Sequence, residues 1–251
     1  MKSLYNAVNM AIGMFSIIPP FKKVWCEKSA KHIMKMFPII GFIIGLIWYG
    51  VSILLEKFNV PIMISSAILL SVPFILTGFL HLDGFMDMCD ALLSRRPKEE
   101  KIRILKDSTV GAFSVISLVL VFFIEFSAIN SILQERKNTA FLILIPVISR
   151  SLVAYFLITK KSIKESYFGK LYKEGTGIVD KIILIGIYVI ALIAGFFINH
   201  VLGISISLAM AIIAIILVKK AEKELGGVNG DVSGYIITLS ELTALIILAI
   251  I

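Results

Sequence analysis

Charge, cysteine and histidine are all scarce in this chain. Only 17% of its 251 residues are Asp, Glu, Lys or Arg, against 58% hydrophobic, and the mean hydropathy is +0.96. A water-soluble domain carries nearer ~25% charged residues, so a large soluble catalytic domain is excluded and an integral membrane protein is expected. Two cysteines, Cys26 and Cys89, exclude a disulfide-rich scaffold and any four-cysteine metal site. His81 and Cys89 stand eight residues apart with no third soft ligand nearby, which argues against zinc. Acids are outnumbered 17 to 25, a net charge of +8. In a membrane protein that excess is read as topology first, and no nucleic-acid partner is expected.

What is present is a series of apolar runs, at about 33–55, 61–80, 112–133, 139–158, 182–198, 201–218 and 233–251. Each is long enough to cross roughly 30 Å of hydrocarbon as a helix, the form that satisfies its own backbone there. The reading is therefore an all-α membrane bundle of about seven transmembrane helices in a single catalytic domain, residues 1–251. Lys57 to Val60 and Asn199–His200 are short enough to make tight hairpins. The apolar N-terminal stretch carries Asn6 and Asn9 and stops at Pro19–Pro20, so it is expected as an interfacial or re-entrant helix. It lacks the small-residue cleavage site of a signal peptide. Alternate loops hold twenty Lys and Arg on one side, including Lys164 and Lys170, and three on the other. The positive-inside rule then places the N-terminus in the cytoplasm of a cell-membrane protein and the C-terminus outside.

Acids are most informative where they cluster. In HLDGFMDMCDALLSRR, Asp83, Asp87 and Asp90 fall at i, i+4 and i+7. At 100° per residue they share an arc of only about 60° on a helix. Like charges stacked so repel, and a divalent cation converts that repulsion into binding. Oxygen ligands suit Mg²⁺, which completes its octahedron with waters and substrate phosphates. The competing reading is a solvated helix start, where acids are favoured by the helix dipole.

Two further segments lie on the same side. In KDSTVGAF, Lys106, Asp107 and Ser108 precede an apolar span. Ser108 or Thr109 suits a helix N-cap, and Asp107 is a candidate metal or phosphate-site carboxylate. In KELGGVNGDVSGY, Gly226, Gly227, Gly230 and Gly234 surround Asp231, giving backbone that can approach a phosphate, or else a plain surface turn. Glu125, Arg150 and Glu241 fall inside spans, where they pair with one another or face a ligand.

At these residues the chain resembles the cobalamin synthase family, the adenosylcobinamide-GDP ribazoletransferases. The likeness rests on TGFLHLDGFMDMCDALLSRR at 77–96, ILKDSTVGAF at 104–113 and LGGVNGDVSGY at 225–235, with FPIIGFIIG at 37–45. Family positions carry onto His81, Asp83, Gly84, Asp87 and Asp90; Lys106, Asp107, Ser108 and Gly111; Arg150; and Gly230, Asp231, Gly234 and Glu241. Phe79 and Ala91 stand where the family usually has glycine, and the arginine common in its N-terminal stretch is missing from FSIIPPF.

The resemblance implies Mg²⁺-dependent transfer of the adenosylcobinamide-phosphate moiety from adenosylcobinamide-GDP to α-ribazole or its 5′-phosphate, with release of GMP. Asp83, Asp87 and Asp90 are the candidate metal ligands, with Asp107 or Asp231 as further carboxylates. Lys106, Ser108, Arg150, Gly230 and Glu241 are candidates for phosphate or substrate contact. Asp90, Asp107, Asp231 and His81 all remain open as the general base. A CDP-alcohol phosphotransferase would show DxxDGxxAR, which is absent here; a prenyl transferase would normally show a second acidic motif. A corrinoid or cation transporter would use the intramembrane acids but not three stacked ones at the surface. Gly41 and Gly45, at small-xxx-small spacing, leave room for a homo-oligomer without specifying one, and membrane lipid is the remaining partner.

Overall fold

A computed structural model describes residues 2–163, 169, 172–173 and 176–251; Lys164 and Lys170 of the basic loop lie outside the described residues. The described chain is helical, with a single isolated β-bridge between Ser162 and Val228. Its helices are α1 (Lys2–Phe15), α2 (Glu27–Ala30), α3 (Ile33–Lys57), α4 (Ile62–Leu76), α5 (Leu80–Leu93), α6 (Lys98–Ile104), α7 (Ala112–Gln134), α8 (Leu144–Thr159, preceded by a 3₁₀ turn at Thr139–Ile143), α9 (Ile178–Leu225) and α10 (Gly230–Ile250).

Five of the described elements are long and apolar enough to cross a membrane: α3, α7, the run Thr139–Thr159, α9 and α10. A sixth is counted if α4 and α5 form one broken span. The expected seven spans are therefore not matched one for one. The run 61–80 does not stay straight. Thr77 turns its hydroxyl onto Pro73 O, 2.9 Å away, and Gly78 and Phe79 follow with φ of 59° and 62°. The chain leaves this left-handed corner at 92° to α4, so α5 runs across the bundle instead of continuing through it. The runs 182–198 and 201–218, by contrast, form the tight hairpin expected of them, two helices joined where Asn199 and His200 leave helical geometry. There the chain folds back. The Tyr188 hydroxyl reaches Ser207 O at 3.1 Å, and a side chain on Gly203 would collide with Gly195.

Helix α8 is the centre of the bundle, its inward positions buried against α3, α9 and α10. Gly41 and Gly45 are used inside this packing. A β-carbon on the first would strike Pro146 O, and one on the second Ile143 O, so α3 and α8 meet backbone to backbone. The 14-residue α1 is too short to span and packs against the start of α3. Asn9 accepts a hydrogen bond from Lys22 N (2.9 Å), which ties the returning strand of the N-terminal segment to the helix.

Ion pairs gather the basic loops at one end. Lys35 meets Asp180 at 2.5 Å, Lys101 meets Glu224 at 2.5 Å, and Lys160 meets Glu222 at 2.9 Å. These pairs connect the starts of α3 and α9, α6 with the end of α9, and the end of α8 with α9. Lys35, near the start of α3, is thus a tie between helices.

Candidate active site

The acidic face is assembled by two glycines. A β-carbon on Gly84 would lie 2.8 Å from Asp231 Cα, and one on Gly234 would collide with His81 O. Helices α5 and α10 therefore cross with their backbones almost touching, and Phe85 stacks on Tyr235 (5.9 Å, 16°) beside the crossing. Because Gly84 flanks the stripe, about 60° around the helix from Asp87, this contact delivers Asp231 to the acidic stripe. Burial, then the charges of Asp231, Asp83 and Asp90, push the Asp87 carboxyl up to about 6. Four carboxylates from two distant stretches of sequence thus act on one another.

Their individual settings differ. Asp83 is exposed, while Asp87 and Asp90 are half-buried. Asp90 is fully engaged: its two oxygens accept from Gly111 N (2.8 Å) and Ser114 N (3.0 Å). It caps α7 from a neighbouring helix, satisfying amides that have no partner within the helix. The capping role expected of Ser108 or Thr109 is therefore corrected. Thr109 instead donates its amide and hydroxyl to Asp107 (3.0 and 2.7 Å), which holds that exposed carboxyl below its usual range. Lys106 and Ser108 are exposed on the same loop.

Asp231 is oriented by a residue the sequence reading passed over. Asn229 accepts from Val232 N at 2.9 Å, capping α10, and its Nδ2 donates to Asp231 Oδ2 at 2.7 Å. The signal was an Asn directly before an apolar helical run. The glycines of this loop also divide. Gly227 and Gly234 are pressed against protein backbone, whereas nothing lies within 4 Å of a β-carbon on Gly230. Gly230 faces open space, so its neighbours, not Gly230, are the positions that packing restricts to glycine.

Beside Asp83 and Asp231 lies a cavity of about 380 Å³. Met14 and Phe15 of α1, Met34 and Phe37 of α3, His81 of α5 and Gly230 line it, with loop residues on the remaining side. His81 is buried, edge-on to Phe37 at 5.8 Å, and its Nε2 has no partner. Arg150 and Glu241 do not line the cavity. They stand behind it as a buried pair: Arg150 Nη1 and Ser149 Oγ both donate to Glu241 Oε1 at 2.6 Å, and the guanidinium lies over Phe37 at 5.9 Å. Of the two readings for these intramembrane charges, the structure shows the pairing. Glu125 is buried nearby, with Oε2 unpartnered.

No three His, Cys, Asp or Glu side chains among the described residues converge closely enough to hold a metal ion by themselves. Mg²⁺ does not require three, since it usually keeps water and substrate phosphate with one or two carboxylates. The mutually repelling carboxylates Asp83 and Asp87, with Asp231 alongside, offer oxygen donors that fit such a hard cation and not a soft one.

Comparison with known proteins identifies the family. The family model for cobalamin-5-phosphate synthase matches residues 7–249. A protein of Clostridium perfringens (strain SM101) named adenosylcobinamide-GDP ribazoletransferase is 53% identical, with all of both chains covered. Proteins of the same name from Clostridium botulinum are 48% identical (strain Alaska E43; 98% of this chain, 97% of theirs) and 30% identical (strain Okra; all of both chains). No solved structure matches. A match that runs through α5, the α7 cap and the start of α10 in one continuous stretch leaves one conclusion: the chain belongs to the cobalamin-5-phosphate synthase family.

Proposed function

We propose that this chain transfers the adenosylcobinamide-phosphate moiety from adenosylcobinamide-GDP to α-ribazole or its 5′-phosphate, at the cytoplasmic face of the cell membrane. The observation that carries the reading is the meeting of Asp231 with Asp83 and Asp87 beside a cavity, because no structural need is met by bringing these carboxylates together.

In this reaction a ribose hydroxyl oxygen bonds to the cobinamide-side phosphorus. The bond from that phosphorus to the bridging oxygen breaks, and GMP leaves. Bound Mg²⁺ would neutralise the diphosphate and the departing phosphate. Asp83 and Asp87 would hold it, being adjacent on one helix face and without other partners for their charge. Asp231 lines the cavity with one oxygen held by Asn229, which suits it to take the hydroxyl proton. Asp90 has both oxygens on amides, so we assign it to holding α7 against α5. Exposed Lys106 stands on the loop between Asp90's two partners and α6, within the basic end of the molecule.

The sidedness rests on the charge bias of the loops and on their convergence in the fold. The deciding experiment uses purified protein in detergent. GMP should form from adenosylcobinamide-GDP only when both ribazole and Mg²⁺ are present. Formation of GMP at the same rate without ribazole would replace transfer by hydrolysis, and no GMP under any condition would end the assignment. Cysteines introduced at Arg96 and Lys223 in a Cys26- and Cys89-free background should resist an impermeant thiol reagent added to intact cells. Labelling of both from outside would reverse the topology.

A further inference from the structure

We infer that the cavity beside Asp83 and Asp231 seats the base of the acceptor, and that the GDP end of the donor lies at the opposite end of the acidic stripe. The inference rests on the transfer reading and assigns its two substrates to two places.

At about 380 Å³ the cavity is near the lower limit of small-molecule pockets, roughly 300–1,000 Å³. That suits a nucleoside; a corrin macrocycle does not fit. Its walls include apolar side chains of at least five separate segments, with Met14, Phe37, Leu80, Leu157 and Val228 among them. Ribazole carries a flat, uncharged, fused-ring base, which buries well between such walls. Among the described residues no Lys or Arg lines the cavity, and the charged ones that do are Asp83 and Asp231. A guanosine diphosphate placed there would set its phosphates among carboxylates, with no cation of the described residues beside them. A ribose hydroxyl meets the same carboxylates as hydrogen-bond donor and as the proton source the reaction needs.

The other end of α5 has the opposite character. Arg95, Arg96 and Lys98 are exposed just beyond it. The ion pair of Lys101 with Glu224 brings α6 to the end of α9, where Lys220 and Lys223 are also exposed. From Asp83 to Asp90 the stripe is about 10 Å long. An apolar pocket at one end and a basic crown at the other, with the carboxylates between them, gives the stripe a direction: acceptor base, reacting phosphate, GMP.

The test measures both substrates on the full-length protein. Leu157→Trp and Met14→Trp fill the cavity from different helices, and Leu157→Ala empties one wall in case the larger residue prevents folding. Calorimetric binding of α-ribazole, without donor present, should weaken at least tenfold in each Trp variant and at least threefold in the Ala variant. The KM for ribazole should rise accordingly, while the KM for adenosylcobinamide-GDP stays within twofold. Arg96→Glu combined with Lys98→Glu should show the reverse, a donor KM raised at least fivefold with ribazole binding unchanged. Trp variants that bind ribazole like wild type, or that weaken the donor instead, overturn the assignment while leaving the transfer reading in place. A wild-type protein that forms no GMP from the two substrates together refutes the transfer reading itself.

Discussion

Two sets of ionisable side chains lie along α10, about 15 Å apart by helical rise, and their surroundings are opposite. Glu241 itself is answered: Arg150 and Ser149 both donate to one of its oxygens, and the three are buried, with Glu125 the unpaired acid beside them. Around Asp231 the described residues offer no answering cation; Asp83 and Asp87 add like charge to it, at the edge of a cavity. Arg150 and Glu241 are matched within the fold and hold α8 to α10. The charges in the second set are left unmatched, and only a ligand can supply what is missing.

The largest effect should come from the unmatched set. Asp83→Asn and Asp87→Asn keep side-chain volume and remove charge, so each should lower transfer by about 10³-fold, roughly 4 kcal/mol of transition-state stabilisation. Both proteins should still insert and purify, since neither carboxylate has a structural partner. A rate within tenfold of wild type for either variant would place that residue outside the reaction.

Next in size is the matched set, where the effect falls on stability. Arg150→Met leaves Glu241 buried without its cation and should cost about 3–5 kcal/mol. The double variant Arg150→Met with Glu241→Gln removes both charges and should recover most of that loss. Thermal melts of the two in the same detergent decide the matter. If the double variant melts with wild type but has lost transfer, the pair has a part in the chemistry that its burial conceals.

That contrast also marks what was legible in the sequence. The helical class was readable, because apolar runs of span length report directly on the bilayer. The stripe of Asp83, Asp87 and Asp90 was readable, because a helix converts spacing into a face. Three other features were not. The sharp corner before α5 depends on Phe79 taking the left-handed conformation, at φ 62°, that a glycine would adopt at lower cost. The departure from the family's glycine at this position was visible; its meaning needed the backbone. Nor could spacing tell Asp90 from Asp87, since the difference is a cap on a helix that begins more than twenty residues later. And Asp231 joins the stripe through Gly84 and Gly234, whose role is contact between two backbones, not approach to a ligand.

A smaller effect separates Asp90 from its neighbours. Asp90→Asn can still accept from one of the two α7 amides, so it should lose about 1 kcal/mol of capping and lower transfer by about tenfold. The informative quantity is the Mg²⁺ concentration giving half-maximal rate. It should move at least fivefold in any residual activity of Asp83→Glu or Asp87→Glu, and by less than twofold in Asp90→Asn. An Asp90→Asn enzyme whose only defect is a large Mg²⁺ requirement would make Asp90 a ligand after all.

The smallest effect runs in the opposite direction and tests the comparison most directly. Burial and three like charges raise Asp87 to about 6, above the ordinary carboxylate value, so its ionised form is disfavoured by the fold. A carboxyl whose pKa is raised on folding contributes stability while it is protonated, and loses that contribution as pH rises through the folded value. At pH 8 in excess chelator, Asp87→Asn should therefore be more stable than wild type, by about 1 kcal/mol once partial exposure to solvent is discounted. The gain should shrink below pH 6 and vanish by about pH 4, where the wild-type carboxyl is neutral as well. Adding Mg²⁺ at pH 8 should raise the wild-type melting temperature and leave that of Asp87→Asn nearly fixed, because the cation and the substitution relieve the same repulsion. A variant that melts below wild type in chelator at pH 8 would show that Asp87 is matched within the fold, as Glu241 is, and would remove the distinction between the two regions.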